Sequence, residues 1–233
     1  ESAHIPAGYS YVKDLDYRLN PEHPPLLKAL AAVPLLFSHL NFPAHLDAWQ
    51  TDVNGQWAVG GNFFYNSGND AVRIVRMARI MPILLTILLA LLIYSWSARL
   101  IGRWMALIPT LLFAWSPNVL AHGHYVTTDV GAAFGIALAT MCFLQFLFKP
   151  SRRHLFYAGL AFGVAQLLKF SAVLLIPYFL VLIALYFVLS ISRDWHKTAV
   201  RERMKRFFWR GFHYFRSTVF VFIIGYVLMV YPI

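Results

Sequence analysis

Ten carboxylates serve 233 residues, and several of them stand beside histidine, lysine or arginine at the edges of long apolar runs. Four groups have residue types suited to chemistry. The first is Glu1-Ser2-Ala3-His4. The second is the run Arg18-Leu19-Asn20-Pro21-Glu22-His23-Pro24-Pro25-Leu26-Leu27-Lys28. The third is Ser116-Pro117-Asn118, followed by His122-Gly123-His124 and Thr127-Thr128-Asp129. The fourth is Lys169, between two apolar stretches. Carboxylates in such settings orient or deprotonate a hydroxyl, and cations hold an anion as charge develops on it.

Each group also has a plainer reading. Lys169 can snorkel to an interface. His122 and His124 alternate as metal ligands do, but two histidines without a third ligand are commonly interfacial. Asp129 opens an apolar run, where a carboxylate suits a helix dipole and its free amides. The prolines between Asn20 and Pro25 pin a rigid turn. A turn alone, however, does not call for adjacent Glu22 and His23 with Lys28 beyond.

The elements that position these groups are membrane helices. Hydrophobic residues make up 59% of the chain and charged ones 13%, with mean hydropathy +0.59. A soluble domain carries about a quarter of its residues as charge, so the missing polar surface faces lipid. Uncharged runs of crossing length occupy residues 80–98, 104–125, 130–148, 154–168, 170–192 and 217–233. An apolar core of roughly 30 Å takes about twenty helical residues, and the expectation is an all-α polytopic bundle of about six spans. Pro82, Pro109, Pro117 and Pro177 are read as local kinks, which membrane helices tolerate. The single cysteine, Cys142, excludes an internal disulfide.

Charge gives direction. With residues 80–98 running inward, Arg99, Arg103, Lys149, Arg152, Arg153 and the basic segment 193–216 fall inside, and Lys169 alone among short-loop cations falls outside. The acids sort oppositely, leaving only Asp194 and Glu202 within. The net charge of +10 therefore reads as an inner-surface feature. Segment 193–216, with interleaved aromatics, is expected to lie on anionic lipid rather than on nucleic acid. Residues 1–79 form an external region and residues 80–233 the bundle. Within the external region, 24–42 is expected to lie along the membrane surface without crossing it, and 47–70 to form an ordered wet loop.

Glu1-Ser2-Ala3-His4, Gly8-Tyr9, and Asp16-Tyr17 through Asn20-Pro21-Glu22-His23-Pro24-Pro25-Leu26 resemble the first external loop of polyprenyl-phosphate-dependent glycosyltransferases. This is glycosyltransferase family 39 within the C-type superfamily, which includes the protein O-mannosyltransferases and the lipid A aminoarabinose transferase. Ser116-Pro117 through Thr128-Asp129 is similar to the family's next external turn. Gly159 through Gly163 to Lys169-Phe170 is similar to its glycine-rich helix. The resemblance implies a lipid-phosphate sugar as donor substrate. Arg18, His23, Lys28 and Lys169 would stabilise the leaving phosphate. Glu1 would act on the acceptor as the remaining member of an acidic pair, with Asp129 as the second catalytic acid. Glu22, His122 and His124 are acceptor or metal candidates, and whether a divalent metal takes part is left open.

Family members open with one more membrane helix and continue past this length, so the chain is expected to be the N-terminal half of an enzyme. The expected partners are membrane lipids, the lipid-linked donor, and either a further subunit or the remainder of the chain. The expected location is an integral membrane one (the inner membrane, if bacterial), with the N-terminal region on the non-cytoplasmic face. A non-catalytic subunit retaining this fold is the alternative. A transporter fits less well, because its site belongs near the bilayer midplane and these spans carry almost no central charge.

Overall fold

The structure is a computed structural model and describes residues 1–52, 54–194 and 200–232. Every regular element among them is helical. The chain divides into two compact units, residues 1–134 with 167–170, and residues 135–166 with 171–233. The external segment is built around α1 (His4–Asp14) and α2 (Leu26–Ala32), which continues as a 3₁₀ turn, Val33–Phe37. Pro24 and Pro25 pre-set the backbone just ahead of α2, and Pro34 marks its tightening into 3₁₀ geometry.

α1 crosses α2 at Gly8, where a Cβ would lie 2.0 Å from the Lys28 carbonyl oxygen. Only glycine permits that approach. Tyr9, Leu35, Phe63 and Ile74 are among the buried residues of the adjoining core. Residues 24–42 form a packed layer of this unit, and its apolar helix, Leu26–Phe37, is shorter than a crossing requires.

Short helices α3 (Asp47–Gln50) and α4 (Gln56–Gly61) follow, the latter extended by a π turn, Asn62–Asn66. α5 (Ala71–Ala78) starts at Asp70, whose Oδ1 accepts the Arg73 backbone N–H at 3.0 Å. α6 (Ile80–Ile101) continues from it after a single turn residue and stops at Gly102, held at φ 87°. The chain then returns along α6 as two pieces, α7 (Leu107–Ala114) and α8 (Pro117–His122). The unbroken crossing expected at 104–125 is therefore corrected. Pro117 occupies the first turn of α8, where its missing N–H costs nothing, and it cannot continue α7.

α9 (Thr128–Phe148), α10 (Arg152–Leu168), α11 (Leu175–Asp194) and α12 (Val200–Gly225) complete the chain. The second unit packs around Phe143, Phe162 and Phe179, with Phe143 and Phe179 stacked at 4.0 Å. In it α10 meets α12 at Gly159, Gly163 and Gly225, where any Cβ would lie within 2.7 Å of a neighbouring atom.

Among the described residues, four helices are long and apolar enough to cross a membrane: Ala71–Ile101, Thr128–Phe148, Phe170–Leu189 and Phe208–Val230. The count of six thus reduces to four such helices. Of the remaining two segments, 104–125 is broken, and 154–168 lies in α10, whose 17 residues are at the lower limit of crossing length. An all-helical membrane bundle stands. The basic segment 193–216 lies partly outside the described residues, and α12 takes up its later part.

Candidate functional site

The first three groups and Lys169 all belong to the first unit. At its start, Glu1 accepts three donors. Arg79 Nε donates to Oε1 at 2.9 Å and Nη2 to Oε2 at 2.5 Å, while the Val126 N–H donates to Oε1 at 3.0 Å. His4 Nδ1 donates to the Val126 carbonyl at 2.8 Å, which leaves Nε2 as the ring's acceptor when the imidazole is neutral. The backbone of one residue, Val126, is therefore held at both its N–H and its carbonyl by the N-terminal segment.

Burial alone would raise the Glu1 pKa. The Arg79 and Val126 hydrogen bonds and the Arg79 charge outweigh it and hold the carboxyl below its ordinary value. Burial pulls the His4 imidazole below its ordinary value against the Val126 bond, and the nearby His23 and Lys28 charges add to the fall. The His23 ring meets His4 edge-on at 5.1 Å.

The turn between α1 and α2 is a second network. Asn20 sits at φ 55°, a left-handed bend that asparagine tolerates. It turns its carbonyl onto Lys28, whose Nζ donates to Asn20 O at 2.7 Å, His23 O at 2.8 Å and Tyr11 Oη at 2.8 Å, with Asn20 Oδ1 at 3.2 Å. Lys28 is 1% exposed, and burial pushes its ammonium down to about 7, with Glu22 opposing the fall. Three N–H bonds meeting four oxygens leave nothing for a phosphate. Its geometry is that of a staple for the turn. Glu22 accepts from Gln56 at 2.9 Å and Asn20 at 2.8 Å, and the Gln56 bond leads in holding its carboxyl low.

The third network brings together residues forty positions apart. Lys169 Nζ donates to Asp129 Oδ1 at 2.6 Å, with side chains 32% and 65% exposed. Each has the other as partner. Gly131, one helical step beyond Asp129, lies between Leu168 of α10 and Leu27 of α2, and this contact gathers the ends of three helices.

Asp129 also borders a cleft of about 460 Å³. Leu89, Phe113, Val130 and Ala133 supply apolar walls, while Asn118, His122 and Asp129 give it polar chemistry. His124 lines a separate, largely apolar cleft of about 260 Å³, and its ring sits 4.2 Å from Tyr125. The two histidines thus border different spaces. Among the described residues no three His, Cys, Asp or Glu side chains gather as a metal-binding group. Arg18 stands apart, ion-paired to Asp16 at 2.7 Å and stacked on Trp49 at 4.5 Å.

Arg79, Tyr11 and Gln56 complete these networks without having been singled out, whereas His4 and Asn118 stood in the first and third groups without an assigned role. Arg79 carried the one legible signal, as the last of three arginines spaced by three ahead of the first span. No curated protein and no solved structure matches the chain. A family model described as dolichyl-phosphate-mannose-protein mannosyltransferase matches residues 7–232, which takes in the Asn20–Pro25 turn, the cleft and Lys169. With nearly its whole length matched and its long apolar helices in place, this integral membrane protein belongs to the dolichyl-phosphate-mannose-protein mannosyltransferase family, a family of glycosyltransferases.

Proposed function

We propose that the protein transfers a mannose-type sugar from a polyprenyl phosphate to an acceptor hydroxyl on the non-cytoplasmic side of the membrane. One observation carries this reading: Asp129, ion-paired to Lys169, borders a cleft with Leu89, Phe113, Val119, Val130 and Ala133 as apolar walls and Asn118 and His122 beside the acid. A prenyl tail calls for apolar walls, and a phosphate calls for a cation at their polar end. Lys169 has a single oxygen partner among the described residues, so two of its N–H bonds remain for the donor phosphate. Lys28 and Arg18, engaged as described, are set aside from that role.

In the proposed reaction the acceptor oxygen bonds to the anomeric carbon as the bond from that carbon to the phosphate oxygen breaks. The electron pair leaves with the polyprenyl phosphate, where Lys169 stabilises it. The acceptor's proton passes to a carboxylate. Asp129 is open to the cleft and suits that task. Glu1, saturated by Arg79 and Val126, suits orientation of the acceptor side through its clamp on residue 126, three positions before Asp129. That saturation also favours a second reading, a non-catalytic subunit in which Glu1 only ties the loop.

The test is sugar transfer by the full-length protein in liposomes, from radiolabelled mannosyl polyprenyl phosphate to serine- and threonine-containing peptides. Wild type should turn over. Lys169→Gln should lower kcat/KM by about 10²-fold or more, and Asp129→Asn by about 10²–10⁴-fold. Absence of transfer by wild type that still binds the donor would select the second reading.

A further inference from the structure

A second cleft, of about 290 Å³, lies in the same unit and shares no lining residue with the one at Asp129. Phe37, Ser38 and His39 form one side; Asn69, Arg73 and Met77 are on the other. We propose that this cleft is a phospholipid headgroup site, in which Arg73 receives the lipid phosphate and Phe37 enters the acyl layer beside it.

Three independent observations support it. Arg73 is exposed, and among the described residues its guanidinium has no hydrogen-bond or carboxylate partner. Asp70 also lines the cleft, with its Oδ1 engaged in capping α5. An arginine fork left open in a cleft suits a phosphate, which it grips through paired hydrogen bonds.

Phe37 is 86% exposed and Leu36 is exposed beside it, on a turn that buried Leu35 fixes firmly into the core. An apolar edge held outward in this way fits lipid rather than water. The helical register supplies the third observation. α6 has 22 residues, about 33 Å of helix, which covers the hydrocarbon core by itself. Met77 and Arg73 then lie roughly 5 and 10 Å beyond its outer end. That layer holds the headgroups, and arginine's length lets it reach back toward them.

The test uses the full chain in detergent and native mass spectrometry with added phosphatidylglycerol. Wild type should retain the lipid. Arg73→Gln should weaken binding roughly fivefold or more, the value of one basic residue at an anionic surface. Phe37→Ser should weaken it as well, and Arg73→Lys should restore part of the loss. Arg76, exposed on the same helix but outside the cleft, provides the control: Arg76→Gln should change binding less than about twofold.

Diacylglycerol, with the same chains and no phosphate, should not displace the bound lipid, and inorganic phosphate should fail at concentrations where the lipid saturates. Equal losses in Arg73→Gln and Arg76→Gln would reduce the effect to diffuse surface charge. Displacement by diacylglycerol would make the cleft an apolar groove, and displacement by phosphate at matching concentration a small-anion site. Each of these results overturns the proposal, provided the variants unfold at the wild-type temperature.

Discussion

Lys28 and Lys169 are alike in the sequence, each a lone lysine beside an apolar run, and their surroundings give them opposite work. Lys28 is enclosed with four oxygens around its ammonium, whereas Lys169 is partly exposed and has one oxygen partner among the described residues. Lys28→Met should therefore cost about 2 kcal/mol of stability, because the turn's carbonyls lose their donor in a buried place. Lys169→Gln should cost no more than about 1 kcal/mol, as exposed ion pairs do, while removing most transfer. Thermal unfolding in detergent beside the transfer assay separates the two. Glu1 gives a pH signature. Its folded carboxyl lies below the ordinary 4.5, so its contribution is present above that value and is lost as pH falls through the folded pKa. Glu1→Gln should remove this acid-side loss of stability, and an unchanged acid profile would deny Glu1 its linkage role.

At the scale of elements, the first unit depends on how closely its helices approach. Gly8→Ala would drive a methyl into the Lys28 carbonyl, which is backbone and cannot swing aside. About 3 kcal/mol or more should be lost, and α1 and α2 should separate. Gly61 is also helical but has nothing within 4 Å of its Cβ position. There alanine should be neutral or add up to about 1 kcal/mol, by helix propensity alone. Equal melting shifts for the two variants would mean that the close crossing at Gly8 does not limit stability. The break between α7 and α8 obeys the same local logic, because Pro117 opens a helix readily and cannot extend the preceding one.

For the molecule as a whole, the orientation proposed from the loop charges has a direct check. In a Cys142→Ser background, Ser67→Cys should react with an impermeant thiol reagent added to intact cells. Ser151→Cys, between α9 and α10, should react only after permeabilisation. The reverse pattern would turn the protein over and place the cleft at Asp129 on the cytoplasmic side.

Composition and hydropathy were enough to determine a helical membrane protein, because a charge deficit of this size and apolar runs of this length have no soluble solution. Local chemistry likewise made the Asn20–Pro25 turn legible, since proline acts on its own neighbours, whereas Pro117, read as a kink, opens a separate helix. Partner choice among charged side chains was not legible. Glu1 reaches Arg79 and residue 126, and Asp129 reaches Lys169, across 78, 125 and 40 positions of sequence. Sequence spacing says nothing about pairs so far apart. Whether a lysine is sealed under a turn or left partly exposed beside a carboxylate depends on how helices pack around it, and only the tertiary structure decided that.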